Sequence, residues 1–138
     1  MTVLWVLLAL VVVGVGFIRL APSDPSQWHV VPAVTQDRDL PGGAMRILTD
    51  AEGALALIDA IARATPRTTV LAGSVDEGMI TYITRSRIMG FPDYTTVRQE
   101  GDTLTVYARL RFGRSDLGVN RARIDGWLAD LARIRSQG

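Results

Sequence analysis

YTTVRQEGDTLTVYARLRF, Tyr94 to Phe112, consists of two alternating runs separated by Gly101-Asp102. Both runs are rich in β-branched and aromatic residues, and a two-residue Gly-Asp connection suits a hairpin because glycine accepts a positive φ. Closing the chain there sets Glu100 opposite Thr103, Arg98 opposite Thr105, Thr96 opposite Tyr107 and Tyr94 opposite Arg109. Side chains alternate along each strand, so Val97, Leu104, Val106, Ala108, Leu110 and Phe112 share one face. The other face collects Arg98, Tyr107, Arg109 and Arg111. An antiparallel sheet of this kind is expected to pack its apolar face and leave the polar one in water.

Outward from the hairpin, Thr68 to Ser74 and Met79 to Ile88 read as two further strands around the Asp76-Glu77-Gly78 turn, and Met45 to Leu48 as a short one. Thr49-Asp50-Ala51-Glu52 has the form of a capping box, and Ala54, Leu57, Ile58 and Ile61 recur at helical spacing. These features predict a helix from Asp50 to Ala64, stopped by Pro66. A second helix is predicted from Leu117 to Arg135, with Leu117, Ile124, Leu128, Leu131 and Ile134 as its apolar stripe and Trp127 at the edge. The pattern as a whole is α+β. It predicts an antiparallel sheet of about four to five strands with two helices packed on one face, spanning residues 44–138.

Ahead of this domain, Thr2 to Ile18 contains no charge and twelve Leu, Ile, Val or Phe residues. Those twelve favour a bilayer by roughly 4–7 kcal/mol, and Arg19 can reach the headgroups from the end of the run. Residues 1–20 are therefore read as a single-pass transmembrane anchor, with residues 2–18 in the membrane. A cleaved signal peptide is the competing reading, with Gly14 and Gly16 as the small residues available to it. No basic residue precedes the run, and Arg19 and Pro22 flank the alternative cleavage position badly. Arg19, Arg38 and Arg46 follow the helix, which by the charge rule points the domain to the cytoplasm. Pro22, Pro25, Pro32, Pro41 and Gly42-Gly43 make residues 21–43 a tether. Within it Trp28 is expected to dock on the domain, and His29 to be solvated.

Composition excludes several chemistries. There is no cysteine and no lysine, so disulfides, thiolate catalysis, Schiff bases and a P-loop lysine are all absent. One histidine leaves no material for a histidine-rich metal site, and no metal or cofactor is expected. Arg19 accounts for the net charge of +1, which leaves residues 21–138 neutral. General nucleic-acid binding needs a basic face, and a neutral body argues against it.

GRSDLG, Gly113 to Gly118, has the glycine spacing of a phosphate loop, but Val119 and Asn120 stand where Lys and Ser/Thr are required. Asp116 also puts a carboxylate where the anion would sit. The structural reading accounts for the stretch: Ser115 or Asp116 caps the last helix, and Arg114 and Arg121 are expected to pair with Asp116. The arginines are the feature that stands above background. Arg85 and Arg87 share a face by the two-residue repeat, as do Arg109 and Arg111 beside Arg98. If all five converge, they need carboxylates or a bound anion, because like charges that close are costly.

TRSRIMGFPD (Thr84 to Asp93), a strand-turn-strand and GRSDLGVNRARID (Gly113 to Asp125) together resemble the domain of unknown function 1499 family. The residues that carry the resemblance are Arg85, Arg87, Phe91, Asp93, Ser115, Asp116, Gly118, Asn120 and Arg123, over about Trp28 to Leu131. The resemblance implies membrane tethering and an envelope, here periplasmic, location. It implies no activity, substrate or cofactor. The function expected is thus a non-enzymatic, membrane-anchored domain that binds an anionic small molecule or an acidic protein through Arg85, Arg87, Arg98, Arg109 and Arg111. One rival is a structural or assembly subunit of an envelope complex. Another is a hydrolase-like enzyme at the Ser115/Asp116/Asn120 corner.

Overall fold

β5 (Pro92–Glu100) and β6 (Thr103–Leu110) pair in the register that Gly101-Asp102 predicts, Glu100 against Thr103 through Tyr94 against Arg109. In the computed structural model, which describes all of Met1–Gly138, Gly101 holds φ +59 at this turn. Before the hairpin come α1 (Thr2–Leu20), α2 (Pro25–Trp28), β1 (Arg38–Leu40), β2 (Gly43–Leu48), α3 (Ala54–Ala64), β3 (Thr68–Ser74) and β4 (Met79–Arg85). After it comes α4 (Val119–Gln137). The class is α+β, with one antiparallel sheet of six strands in the order β1-β2-β6-β5-β4-β3.

The expected four to five strands become six because β1 forms inside the proline-rich stretch read as a tether. Three residues are too few to show a period of two. β1 is held from outside its own pattern: Asp37 accepts from the Ile47 amide at 2.8 Å, and Arg46 bonds both Asp39 (2.7 Å) and Asp125 of α4 (2.9 Å). β4 stops at Arg85 rather than running to Ile88, because Ser86 and Phe91 close a separate loop there.

One face of the sheet carries the core. Ile80, Tyr82, Val97, Leu104, Val106 and Ala108 pack beneath Leu55, Ile58 and Ala62 of α3 and Ile124, Trp127 and Leu131 of α4. Alanines at 44, 54, 62 and 108, all fully buried, let helices and sheet approach closely. Tyr82 and Trp127 meet edge to face at 5.7 Å, and their polar ends are satisfied. The Tyr82 hydroxyl donates to Asp59 (2.7 Å), and the Trp127 indole donates to Thr65 (3.0 Å).

Two predicted caps differ from the structure. The Thr49–Glu52 box does not form: α3 begins only at Ala54, behind Gly53 in the left-handed region. Ala51 is drawn under the β5–β6 turn, its amide donating to the Asp102 carbonyl at 2.7 Å. Gln99 then caps α3 from the sheet, accepting from the Leu55 amide and donating to the Ala51 carbonyl. In α4 the buried stripe is Asn120, Ile124, Trp127 and Leu131, so Trp127 is central rather than at the edge. Leu117 is not in the helix, and is 95% exposed.

The opposite sheet face is not open to water. Residues 22–29 fold back across it, and Trp28 stacks on Tyr94 with ring centroids 4.1 Å apart. Ser23 shares a 2.6 Å hydrogen bond with the Tyr94 hydroxyl. His29, expected to be solvated, instead bonds Thr81 through Nδ1 at 2.7 Å and lies against Gly73. Thr81 and Thr96 are wholly buried beneath this cover.

Two stability outcomes follow from this packing. Thr95 is fully buried on the helix side with no partner for its hydroxyl. Thr95→Val should raise unfolding stability by about 1 kcal/mol, because a buried unpaired hydroxyl costs more than the methyl that replaces it. Trp28→Ala should lower it by about 2 kcal/mol through lost apolar area and stacking. Denaturant unfolding of the full chain in micelles reads both.

Candidate functional site

The five arginines expected to converge separate into distinct environments. Arg109 is buried, with 8% of its surface exposed. Its guanidinium donates to the Trp28 carbonyl, to Thr96 Oγ1 (2.8 Å) and to the Tyr107 carbonyl (3.2 Å), and it lies 4.4 Å from the Tyr107 ring centroid. No carboxylate pairs with it; carbonyls, a hydroxyl and aromatic faces hold the charge. Burial pulls its pKa down to about 10, which leaves it cationic at neutral pH. Arg111 lies just past β6 and donates to the Pro22 carbonyl (3.0 Å) and the Tyr94 hydroxyl (3.1 Å). Arg98 lies 3.2 Å from Glu100. In the fold, Arg109 and Arg111 clamp the N-terminal segment onto the sheet, and Arg98 is paired.

Arg85 and Arg87 do not share a strand face, since β4 ends at Arg85 and Arg87 lies exposed in the next loop. Arg85 instead meets two arginines that the sequence did not single out together. Arg19, Arg67, Thr69, Arg85, Ser86 and Gly90 line a cavity of about 400 Å³. Each guanidinium is positioned by carbonyls. Arg67 Nε donates to the Arg85 carbonyl (3.1 Å) and Arg85 Nη1 to the Gly90 carbonyl (3.0 Å). Arg19 donates from Nε to the Met89 carbonyl (3.1 Å) and from Nη2 to the Ile88 carbonyl (2.6 Å). No acidic side chain lines the cavity, and none of the three arginines forms an ion pair. Guanidiniums oriented this way keep N–H groups free, and such forks suit planar or tetrahedral oxyanions.

Arg67 was hidden in sequence because it follows Pro66 in a connection, at φ +56, with no periodicity to assign it a face. Arg19 read only as a membrane flank.

The family-motif corner forms a second cavity, of about 350 Å³, whose walls include Ser86, Phe91, Asp93, Phe112, Ser115 and Asp116. Asp116 caps α4, accepting from the Gly118 amide (3.0 Å) and the Asn120 amide (2.7 Å), although the N-cap position itself is Gly118 rather than Ser115 or Asp116. The pairing expected of Arg114 and Arg121 with Asp116 does not occur; backbone amides are the hydrogen-bond partners of its oxygens. Arg121 turns to Asp39 (3.5 Å), and Arg114 has no ion pair. Ser115 Oγ accepts from the Leu117 amide at 3.3 Å.

Buried Asn120 accepts from Arg123 Nη1 at 2.7 Å, and Arg123 Nη2 lies 3.6 Å from Asp93. Both members of that pair are 14% exposed in their side chains. Desolvation outweighs their attraction. Burial, aided by Asp116, lifts the Asp93 carboxyl to about 6 against the pull of Arg123 and Asn120, and burial likewise depresses Arg123.

A pH dependence follows. A carboxyl raised from about 4 to about 6 leaves the folded state holding a proton that the unfolded chain has released. Its contribution to stability should therefore fall as pH rises from about 4 to about 6, and stay level above. Unfolding of the parent minus that of Asp93→Asn, measured across that window, should show the decline.

No curated protein and no solved structure matches the chain. The family described as "Protein of unknown function (DUF1499)" matches residues 18–131. That span takes in both motifs, the whole sheet and all of the stretch expected to be a tether. The chain belongs to this family.

Proposed function

We propose that the chain is a membrane-anchored, non-enzymatic module that binds a phosphate-type oxyanion in the cavity between Arg19, Arg67 and Arg85. The observation that carries this reading is three carbonyl-positioned guanidiniums around one cavity with no carboxylate in its lining. Like charges so placed are costly alone and are stabilised by a shared anion. Arg87, exposed on the adjoining loop, adds to the local positive field.

α1 is long and apolar enough to cross a bilayer, a property that anchors and signal sequences share. Retention as an anchor, against cleavage after Ala21, is supported by the Arg19 bonds to Ile88 and Met89, since a cut there would remove that side chain. The periplasmic side is taken from the family resemblance, although the arginines after α1 weigh the other way. The hydrolase alternative is disfavoured at the corner. Ser115 accepts a backbone amide there, and the histidine, His29, is engaged with Thr81.

The test uses the full chain in neutral-detergent micelles, with thermal unfolding followed in inorganic phosphate and in chloride at equal ionic strength. At a hundred times its dissociation constant, phosphate should stabilise the parent by about 2.7 kcal/mol. The Arg67→Gln/Arg85→Gln variant should show none of this. An absent shift in the parent, or an equal shift in the variant, refutes the reading.

A further inference from the structure

The arginine cavity lies at the end of α1. Nineteen residues of helix rise about 28 Å, close to the ~30 Å hydrocarbon core of a bilayer. Arg19, in its last turn, then stands at headgroup level, and whatever it touches stands there too. It touches the Ser86–Phe91 loop through the carbonyls of Ile88 and Met89.

That loop is closed on itself. The Ser86 amide donates to the Phe91 carbonyl (3.0 Å), the Gly90 amide to the Ser86 carbonyl (3.2 Å), and the Phe91 amide to Ser86 Oγ (2.9 Å). Gly90 adopts φ +72, and a Cβ there would meet Arg19 Nε at 2.8 Å. At the tip of this closed loop Ile88 is 80% exposed and Met89 37% exposed. At headgroup level, a large apolar side chain held out by a hydrogen-bonded loop gains by entering the outer hydrocarbon layer. The same short stretch therefore offers an apolar tip beside a set of guanidiniums, the two chemistries met together in an anionic lipid.

We infer that the oxyanion is the phosphodiester of an anionic membrane lipid, held by Arg19, Arg67 and Arg85 while Ile88 enters the hydrocarbon of the same leaflet. This rests on the oxyanion reading above and adds the source of the anion. The lipid reaches the cavity by lateral diffusion, and its acyl chains stay beside α1 and Ile88. Arginines at a membrane surface each strengthen attraction to anionic lipid about fivefold, so the loss of two should weaken it roughly thirtyfold.

The test uses the full chain in nanodiscs, either of phosphatidylcholine alone or containing phosphatidylglycerol. The chain lacks cysteine, so Ile88→Cys carries a single nitroxide whose depth is read by oxygen and nickel accessibility. Lipid carried through detergent extraction is read by native mass spectrometry. The label should lie in hydrocarbon. Phosphatidylglycerol should be retained by the parent, and roughly thirtyfold less by Arg67→Gln/Arg85→Gln. Ile88→Ser, which leaves every arginine in place, should also reduce retention while keeping the phosphate-induced thermal shift in micelles.

A label in water, or equal retention by the parent and the double variant, overturns the inference. If phosphate still shifts the parent's unfolding when either of these is found, the oxyanion reading survives and only the lipid source falls. If phosphate gives no shift and no phosphatidylglycerol is retained, both fall.

Discussion

Where each side chain lies depends on the register that Gly101-Asp102 imposes on β5 and β6. A slip of one residue would turn either Val97 on β5 or Val106 and Ala108 on β6 away from α3 and α4, and drive Arg98 or Thr105 into the core in their place. The neighbouring strands inherit the same alternation, so Ile80 and Tyr82 follow Val97 and Thr95, and Ala44 follows Ala108. The two faces then solve different problems. The helix side buries hydrocarbon with few polar atoms. The other side buries threonines, tyrosines and the Arg109 guanidinium, and can do so only because the N-terminal segment supplies carbonyls and rings to meet them.

The helix side was legible in sequence for that reason. Hydrophobic burial leaves a period, and the periods of the hairpin, α3 and α4 were present in the residues themselves. The errors fall where a distant partner decides the local outcome. The Thr49–Glu52 box is a sound local solution, yet Ala51 is claimed by the Asp102 carbonyl and α3 is capped by Gln99 from another strand. β1 exists because Asp37 and Asp39 find Ile47 and Arg46, which no window of three residues can report.

The proposed site was legible in kind and not in place. Its arginines were visible as a class, and alternation was trusted to group them. Alternation fails at Arg87, where the strand has ended, and it says nothing of Arg67 or Arg19, which lie outside any strand. Arg109 and Arg111 carry the right charge for an anion site, but aromatic faces and carbonyls absorb it. The corner motif behaved differently, since capping by Asp116 is a local interaction and was readable from SDLG. The Asp93–Arg123 pair that it leads to was not, because those residues come from a strand and a helix thirty positions apart.

The docking of Trp28 changes what the linkage between helix and domain can do. Only Ala21 to Asp24 separate α1 from α2. Of these four residues, Pro22 is bonded to Arg111 and Ser23 to Tyr94. A stretch of that length spans at most about 14 Å even when free, and here it is pinned at two points. With α1 in a bilayer, the domain has no leash on which to swing. It rides at one height and with one face toward the lipid, so a tilt of the helix is a tilt of the whole domain. Anything that meets it must itself come to the membrane surface.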